Sequence, residues 1–149
     1  MYKYSRFNIN LQCGPQTAPQ DDIALHMSVR LLEGHVVLNS LQHGIWNEEQ
    51  RNLALPIKRA ERFEIILTCE FNHYKVAING RHYCEFPQQI HYDRVSHLAI
   101  DGDVSIVQIS YESSTFAGIG GASSSNVPPV KNPAASTKMQ PPSYEAAIS

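Results

Sequence analysis

Two groups of polar side chains between positions 26 and 51 carry the types and spacing that could recognise a ligand. His26, Ser28 and Arg30 are two residues apart, so a β-strand puts them on one face and Leu25, Met27, Val29 and Leu31 on the other. Further along, Asn39 ends an apolar run, Val36-Val37-Leu38, and the single tryptophan, Trp46, is followed by Glu49 and Arg51, again two apart. Imidazole, guanidinium, carboxamide and carboxylate groups offer donors and acceptors in several fixed directions, which suits a ligand rich in hydroxyls. An indole adds a flat apolar platform suited to the C–H face of a sugar ring. Residue chemistry alone also fits a solvated strand face beside a structural tryptophan, so it leaves both readings open.

The elements that would have to position these groups read as short strands. Residues 5–13 alternate, with Phe7, Ile9, Leu11 and Cys13 on one face and Asn8, Asn10 and Gln12 on the other, the mark of a half-buried strand. Gly14 to Asp22, with Pro15 and Pro19, interrupts as a loop before the strand of His26. Val36 to Ser40 makes another strand, and Gln42-His43-Gly44 a turn before Trp46; His35 and His43 read as solvated loop residues. Asn52 to Ile57 places Leu53, Leu55 and Ile57 on one face, with Pro56 marking an edge or a strand end. Phe63 to Phe71 is strongly apolar, and Tyr74 to Phe86 contains Asn79-Gly80, the strongest short hairpin signal in the chain. Val76, Ile78, Tyr83 and Phe86 are the expected core positions of that hairpin. Strands over Val95 to Ile100 and Val104 to Tyr111 follow, separated by Asp101-Gly102-Asp103. Short strands with Gly, Pro and Asn punctuation and no long helical period predict an all-β sandwich.

Composition narrows the function classes. A chain of 149 residues with a net charge of −2 offers no cationic surface for nucleic acid or anionic membrane, and is long enough for one core-bearing domain. No apolar run of membrane-spanning length occurs, and MYKYSRFNIN lacks the apolar centre of a secretory signal. Three cysteines, Cys13, Cys69 and Cys84, form no paired framework, and no Asn-x-Ser/Thr sequon is present, so cytosolic synthesis is the expectation.

The order of the polar groups closely resembles the galectin family of β-galactoside-binding lectins, whose pattern is H-x-N-x-R on one strand, Asn on the next, then W-G-x-E-x-R. Matching positions are His26, Arg30, Asn39, Trp46, Glu49 and Arg51. Phe7 to Cys13, Tyr74 to Gly80, Arg94-Val95 and Leu98 to Asp103 also match, so the resemblance covers about residues 6 to 112. It implies a jelly-roll-like pair of antiparallel sheets and non-enzymatic, metal-free and cofactor-free binding of β-galactoside glycans and glycoproteins, in the cytoplasm and, by a leaderless route, outside cells. In its terms His26 and Arg30 address the axial hydroxyl of galactose and Asn39 and Glu49 the hydroxymethyl. Trp46 stacks under the ring, and Arg30 and Arg51 bracket Glu49.

Three positions depart from the pattern: Ser28 stands where the family has Asn, Val29 where it commonly has Pro, and Asn47 where it has Gly. Ser28 is shorter than Asn, so a hydrogen bond to sugar is lost or water-mediated at roughly 1–2 kcal/mol, about 5- to 30-fold in affinity. The family usually has two strands before the one matching Phe7 to Cys13, which leaves one sheet's first edge and an inner strand of the other unaccounted for. Reduced stability is the expectation.

Residues 1–112 therefore read as the lectin-like domain and 113–149 as a disordered tail or linker. Of those 37 residues 22 are Ser, Ala, Pro or Gly, and only Lys131, Lys138 and Glu145 are charged. Pro141-Pro142-Ser143-Tyr144 matches the P-P-x-Y pattern of ligands for WW-domain proteins. The alternative function is thus a lectin-like scaffold, without useful sugar binding, that acts through protein contacts.

Two rival chemistries fit less well. Cys69, His73, His82 and Cys84 follow no strong zinc spacing and read as buried cysteines with surface histidines. Glycoside hydrolysis needs two carboxyl groups across the bond, and Glu48, the neighbour of Glu49, points away from it on a strand.

Overall fold

The computed structural model describes residues 5–113 and the backbone of two segments further on, Thr137–Met139 and Tyr144–Glu145. In chain order the strands are β1 (Arg6–Gln12), β2 (Ile23–Arg30), β3 (His35–Gln42), β4 (Ile45–Trp46), β5 (Gln50–Asn52), β6 (Arg62–Phe63) and β7 (Ile65–Cys69). After them come β8 (His73–Ile78), β9 (Arg81–Pro87), β10 (His97–Gly102), β11 (Tyr111–Ser113), β12 (Thr137–Met139) and β13 (Tyr144–Glu145). A 3-10 turn, Tyr92–Arg94, links β9 to β10. All the strand pairings are antiparallel. One sheet has six strands, ordered β10-β1-β2-β3-β4 with β5 also on β3; a second has five, ordered β11-β12-β7-β8-β9; β13 and β6 form a third, two-stranded sheet. The all-β fold of two antiparallel sheets read from the sequence is observed, with a small third sheet of β13 and β6 beside them.

Alternation explains how the large sheets pack. Phe7, Ile9 and Leu11 of β1, Leu25, Met27 and Val29 of β2 and Val36 and Leu38 of β3 all point inward. They join Ile65 and Leu67 of β7, Tyr74, Val76 and Ile78 of β8, and Cys84 and Phe86 of β9 in a single core. Phe7 stacks on Phe63 with ring centroids 5.5 Å apart. The opposite face of β1, β2 and β3 is thereby left for the polar residues.

The Asn79-Gly80 hairpin forms as expected, with φ of 51° and 80°, the left-handed pair that a tight two-residue turn demands. His43-Gly44 turns β3 into β4 the same way, with φ of 52° and 80°.

Several expectations are corrected. His35 is not a solvated loop residue: it opens β3 and is buried. No strand carries Leu53, Leu55 and Ile57 on one face, because Ala54 adopts φ of +57° and breaks the extended run. Leu53 is exposed and Ile57 buried. Phe71 falls beyond the end of β7 and is exposed. Tyr83 is only half-buried, because the register passes from Ala77↔His82 to Val76↔Cys84 and skips it, a β-bulge. Its hydroxyl instead donates to the carbonyl of Asn52 at 2.8 Å. The predicted strand over Val104 to Tyr111 shrinks to β11, which starts only at Tyr111. Asn10 and Gln12, placed on a solvated face by alternation, are both buried.

Two short stretches of the Pro/Ser/Ala/Gly-rich tail are strands. β12 takes an inner place between β11 and β7, pairing Tyr111↔Met139 and Lys138↔Thr68, and β13 pairs Tyr144↔Phe63. Pro141, Pro142 and Ser143 of the P-P-x-Y match lie outside the described residues, and Tyr144 is described by its backbone alone.

Candidate functional site

Strand register assembles the polar face. Residues paired across an antiparallel sheet share a face, and three such rows cross β1, β2 and β3. One row is Asn10, His26 and Asn39; the next is Asn8, Ser28 and Val37, extended by Arg51 of β5; the third is Arg6, Arg30 and His35. Trp46 pairs with Leu41, the next residue of β3 on the Val37 and Asn39 side, which brings the indole over the same face. The ring is 48% exposed, and its centroid lies 4.9 Å from that of His26 with the planes at 57°.

An open cavity of about 370 Å³ sits on this face, lined by His26, Arg30, Asn39, Trp46 and Glu49, with Val37 and Asn47 completing the walls. Two residues singled out from the sequence are not in its lining. Ser28 lies between His26 and Arg30 but is 1% exposed, and Arg51 stands beside the cavity, its guanidinium 3.0 Å from Glu49.

The charges are arranged differently from the expected bracket around Glu49. Among the described residues Arg51 alone pairs with Glu49; Arg30 instead donates from Nε to Ser28 Oγ at 3.4 Å and lies 3.9 Å from Glu33. Glu33 also attracts Arg6 at 3.7 Å and His35 at 3.9 Å, because all three bases converge where β2 turns into β3. The Arg6 pair, with both side chains well exposed, is worth about 0–1 kcal/mol.

Hydrogen bonds fix two of the lining side chains. His26 Nδ1 is 2.6 Å from Asn10 Oδ1; an amide oxygen only accepts, so Nδ1 carries the hydrogen and Nε2 has a free lone pair. Burial pushes the His26 pKa below the ordinary imidazole value, Asp101 opposes that shift and Arg30 adds to it. The imidazole is therefore neutral near pH 7. Asn39 donates from Nδ2 to the carbonyl of Asn47 at 2.9 Å and accepts the Ser40 N–H at 2.8 Å.

Asn10 and Asn47 were not singled out from the sequence as members of this site. Asn10 was visible as part of an alternating polar face, but which strand it would lie against was not. Asn47 stood out only as a departure from Gly.

A second cavity, of about 500 Å³, is bounded by Cys13, Asp21, Asp22, His43 and Arg94 among others. Its carboxylates are committed internally. Asp22 accepts the His43 N–H at 2.9 Å and pairs with Arg94 at 3.0 Å, both of which hold its pKa low, and Asp21 accepts the Gln16 N–H at 2.7 Å. Among the described residues no group of three or more His, Cys, Asp or Glu side chains is placed to hold a metal ion, and Cys69 and Cys84 are buried.

Known proteins resemble this chain in sequence and in fold. The family model for galactoside-binding lectins matches residues 1–111. Bovine galectin-4 is 34% identical over 127 residues, covering 84% of this chain and 35% of that protein. The 32 kDa beta-galactoside-binding lectin of Caenorhabditis elegans is 31% identical over 106 residues, covering 71% and 38%. Human galectin-7 is 32% identical over 102 residues, covering 68% and 74%. The chain thus spans little more than a third of the first two. Among solved structures, Caenorhabditis elegans galectin LEC-6 superposes with a TM-score of 0.58 at 32% identity, covering 66% of each chain. Sheep galectin-11, solved with glycerol, gives 0.60 at 22% identity, which speaks for the fold alone.

Proposed function

The chain belongs to the galactoside-binding lectin family, a family of non-enzymatic lectins, and from that premise we propose that it binds β-galactoside glycans on the outer face of its six-stranded sheet. The observation that carries the reading is the convergence of His26, Arg30, Asn39, Glu49 and Trp46 on one open cavity. In this reading galactose lies with its C–H face on the half-exposed indole. His26 Nε2 accepts from the axial hydroxyl, which suits its neutral form. Arg30 donates to the same hydroxyl. Asn39 and Glu49 take the hydroxymethyl, with the Glu49 carboxylate oriented by the Arg51 guanidinium 3.0 Å away.

Ser28 makes the site weaker than the family pattern implies. Its hydroxyl is buried and already accepts from Arg30, so it offers a sugar less than the Asn of the family. Glu33 also draws on Arg30. These two features support the alternative reading, a lectin-like scaffold acting through protein contacts, in which WW-domain proteins would meet Pro141 to Tyr144. Synthesis in the cytoplasm and leaderless passage to the outside are proposed by family likeness; no helix among the described residues is long and apolar enough to cross a membrane.

Titration with lactose up to tens of millimolar, followed by Trp46 fluorescence and calorimetry, tests the reading. Saturable binding that Trp46→Ala abolishes while the thermal midpoint holds is the expected outcome. A folded protein that gives no heat and no fluorescence change leaves the scaffold reading in its place.

A further inference from the structure

The family pattern has glycine after the tryptophan, and glycine could make none of the side-chain contacts made here by Asn47. Its backbone N–H donates to the carbonyl of Ser40 at 3.0 Å, which closes the β3–β4 turn. Its Nδ2 donates to Ser40 Oγ at 2.7 Å and to Gln42 Oε1 at 3.1 Å, with the Ser40 carbonyl 3.4 Å away. All three of these atoms can accept, so the amide orientation is determined by its surroundings. Its backbone carbonyl, a group glycine would also have but would not have held in place by a side chain, accepts from Asn39 Nδ2 at 2.9 Å.

One residue thus grips β3 at three positions beyond its midpoint, Asn39, Ser40 and Gln42. Ser40 is 0% exposed, and its hydroxyl also bonds Gln89 Oε1, in the turn that follows β9. Accepting from Asn47 and donating to Gln89 uses the hydroxyl in both senses. The network runs from the site's edge to the connection leaving the other sheet. Trp46 is the residue immediately before Asn47, on a strand only two residues long. A two-residue strand by itself holds its neighbours weakly.

Resting on the sugar-binding reading above, we propose that Asn47 is a positioning residue that sets the Trp46 platform and the Asn39 carboxamide before any ligand arrives. The role acts through those two side chains. A pre-set platform removes the ordering cost that a mobile aromatic would add on binding. The same contacts leave Asn39 one amide hydrogen and one lone pair for a ligand, narrowing the directions from which it can bond a hydroxyl.

Two variants test this: Asn47→Gly, the family residue, and Asn47→Asp, which keeps the shape but replaces the donating amide with acceptor oxygens facing the Gln42 amide oxygen. Both sit at an exposed position, so the fold is expected to persist. In the sugar-free protein, both should red-shift Trp46 emission and raise its acrylamide quenching constant by about twofold or more, with far-ultraviolet dichroism unchanged. The lactose dissociation constant should rise about fivefold, the effect of losing one or two hydrogen bonds. Unaltered emission and quenching in both variants would overturn the proposal, as would a mobile Trp46 with unchanged lactose affinity. If the parent protein binds no lactose, the sugar-binding reading fails by itself, and the quenching comparison still decides whether Asn47 holds the indole.

Discussion

His26 Nδ1 and Asn10 Oδ1 are 2.6 Å apart, joined across the β1–β2 register. The contact selects the tautomer with hydrogen on Nδ1 and leaves Nε2 bare on a ring that lines the open cavity. A residue outside the cavity lining thus sets the hydrogen-bonding sense of one inside it.

Replacing Asn10 by Asp should reverse that sense in part. A carboxylate 2.6 Å from the ring would raise the His26 pKa and favour imidazolium, which has no acceptor. Lactose affinity at pH 7 is expected to fall several-fold, and the imidazole proton resonances of His26 to titrate at higher pH than in the parent. A His26 titration that does not move would show that the Asn10 contact does not govern the ring.

The lowered His26 pKa also gives a pH dependence. The unfolded chain takes up a proton on this ring near pH 6.5, whereas the folded chain does so only at lower pH. The unfolded state therefore binds more protons between those two values, and stability falls as pH drops through that window while staying complete above it. Thermal midpoints from pH 7.5 to 5 should decline below about pH 6.5, and His26→Gln should flatten the decline. Equal slopes for parent and variant would assign the effect to another group.

Ser28→Asn restores the family residue between His26 and Arg30. Ser28 is almost wholly buried, so the longer amide must extend toward the cavity. Its added donor and acceptor are expected to tighten lactose binding by about 5- to 30-fold, the reverse of the loss inferred for serine. Calorimetry on parent and variant measures it directly; a weaker variant would mean that the row has no room.

Tyr74→Phe probes the core beneath the second sheet. The Tyr74 hydroxyl, buried, donates to the Ile90 carbonyl at 2.8 Å, and burial keeps the phenol protonated far above neutral pH. Removing it leaves that carbonyl without a partner, at about 1–3 kcal/mol. Urea unfolding should show that loss with an unchanged slope, while lactose binding stays as in the parent.

Much of this was legible in the chain itself. The alternation of Leu25, Met27 and Val29 against His26, Ser28 and Arg30 is a property of strand geometry, and it held. The Asn79-Gly80 turn held for a similar reason, since positive φ at both residues is a local preference. Where a single residue broke the period, the reading failed: Ala54 at positive φ ended a strand, and a bulge at Tyr83 left that ring half-buried against the core's edge. Neither residue type announces such behaviour, because in each case the surrounding packing imposes the backbone conformation.

The sequence by itself determined the fold class, the division of each strand into an apolar and a polar side, and the identities of the groups that could meet a sugar, because strand period and family pattern both live in residue order. Tertiary structure alone decided the partners. Glu33 draws Arg30 from one side of the site, Asn10 orients His26, and Asn47 holds Trp46 and Asn39. Those choices depend on register and on which side chains a closing turn brings within 3–4 Å. Distances between residues far apart in the chain are set only when the sheet assembles.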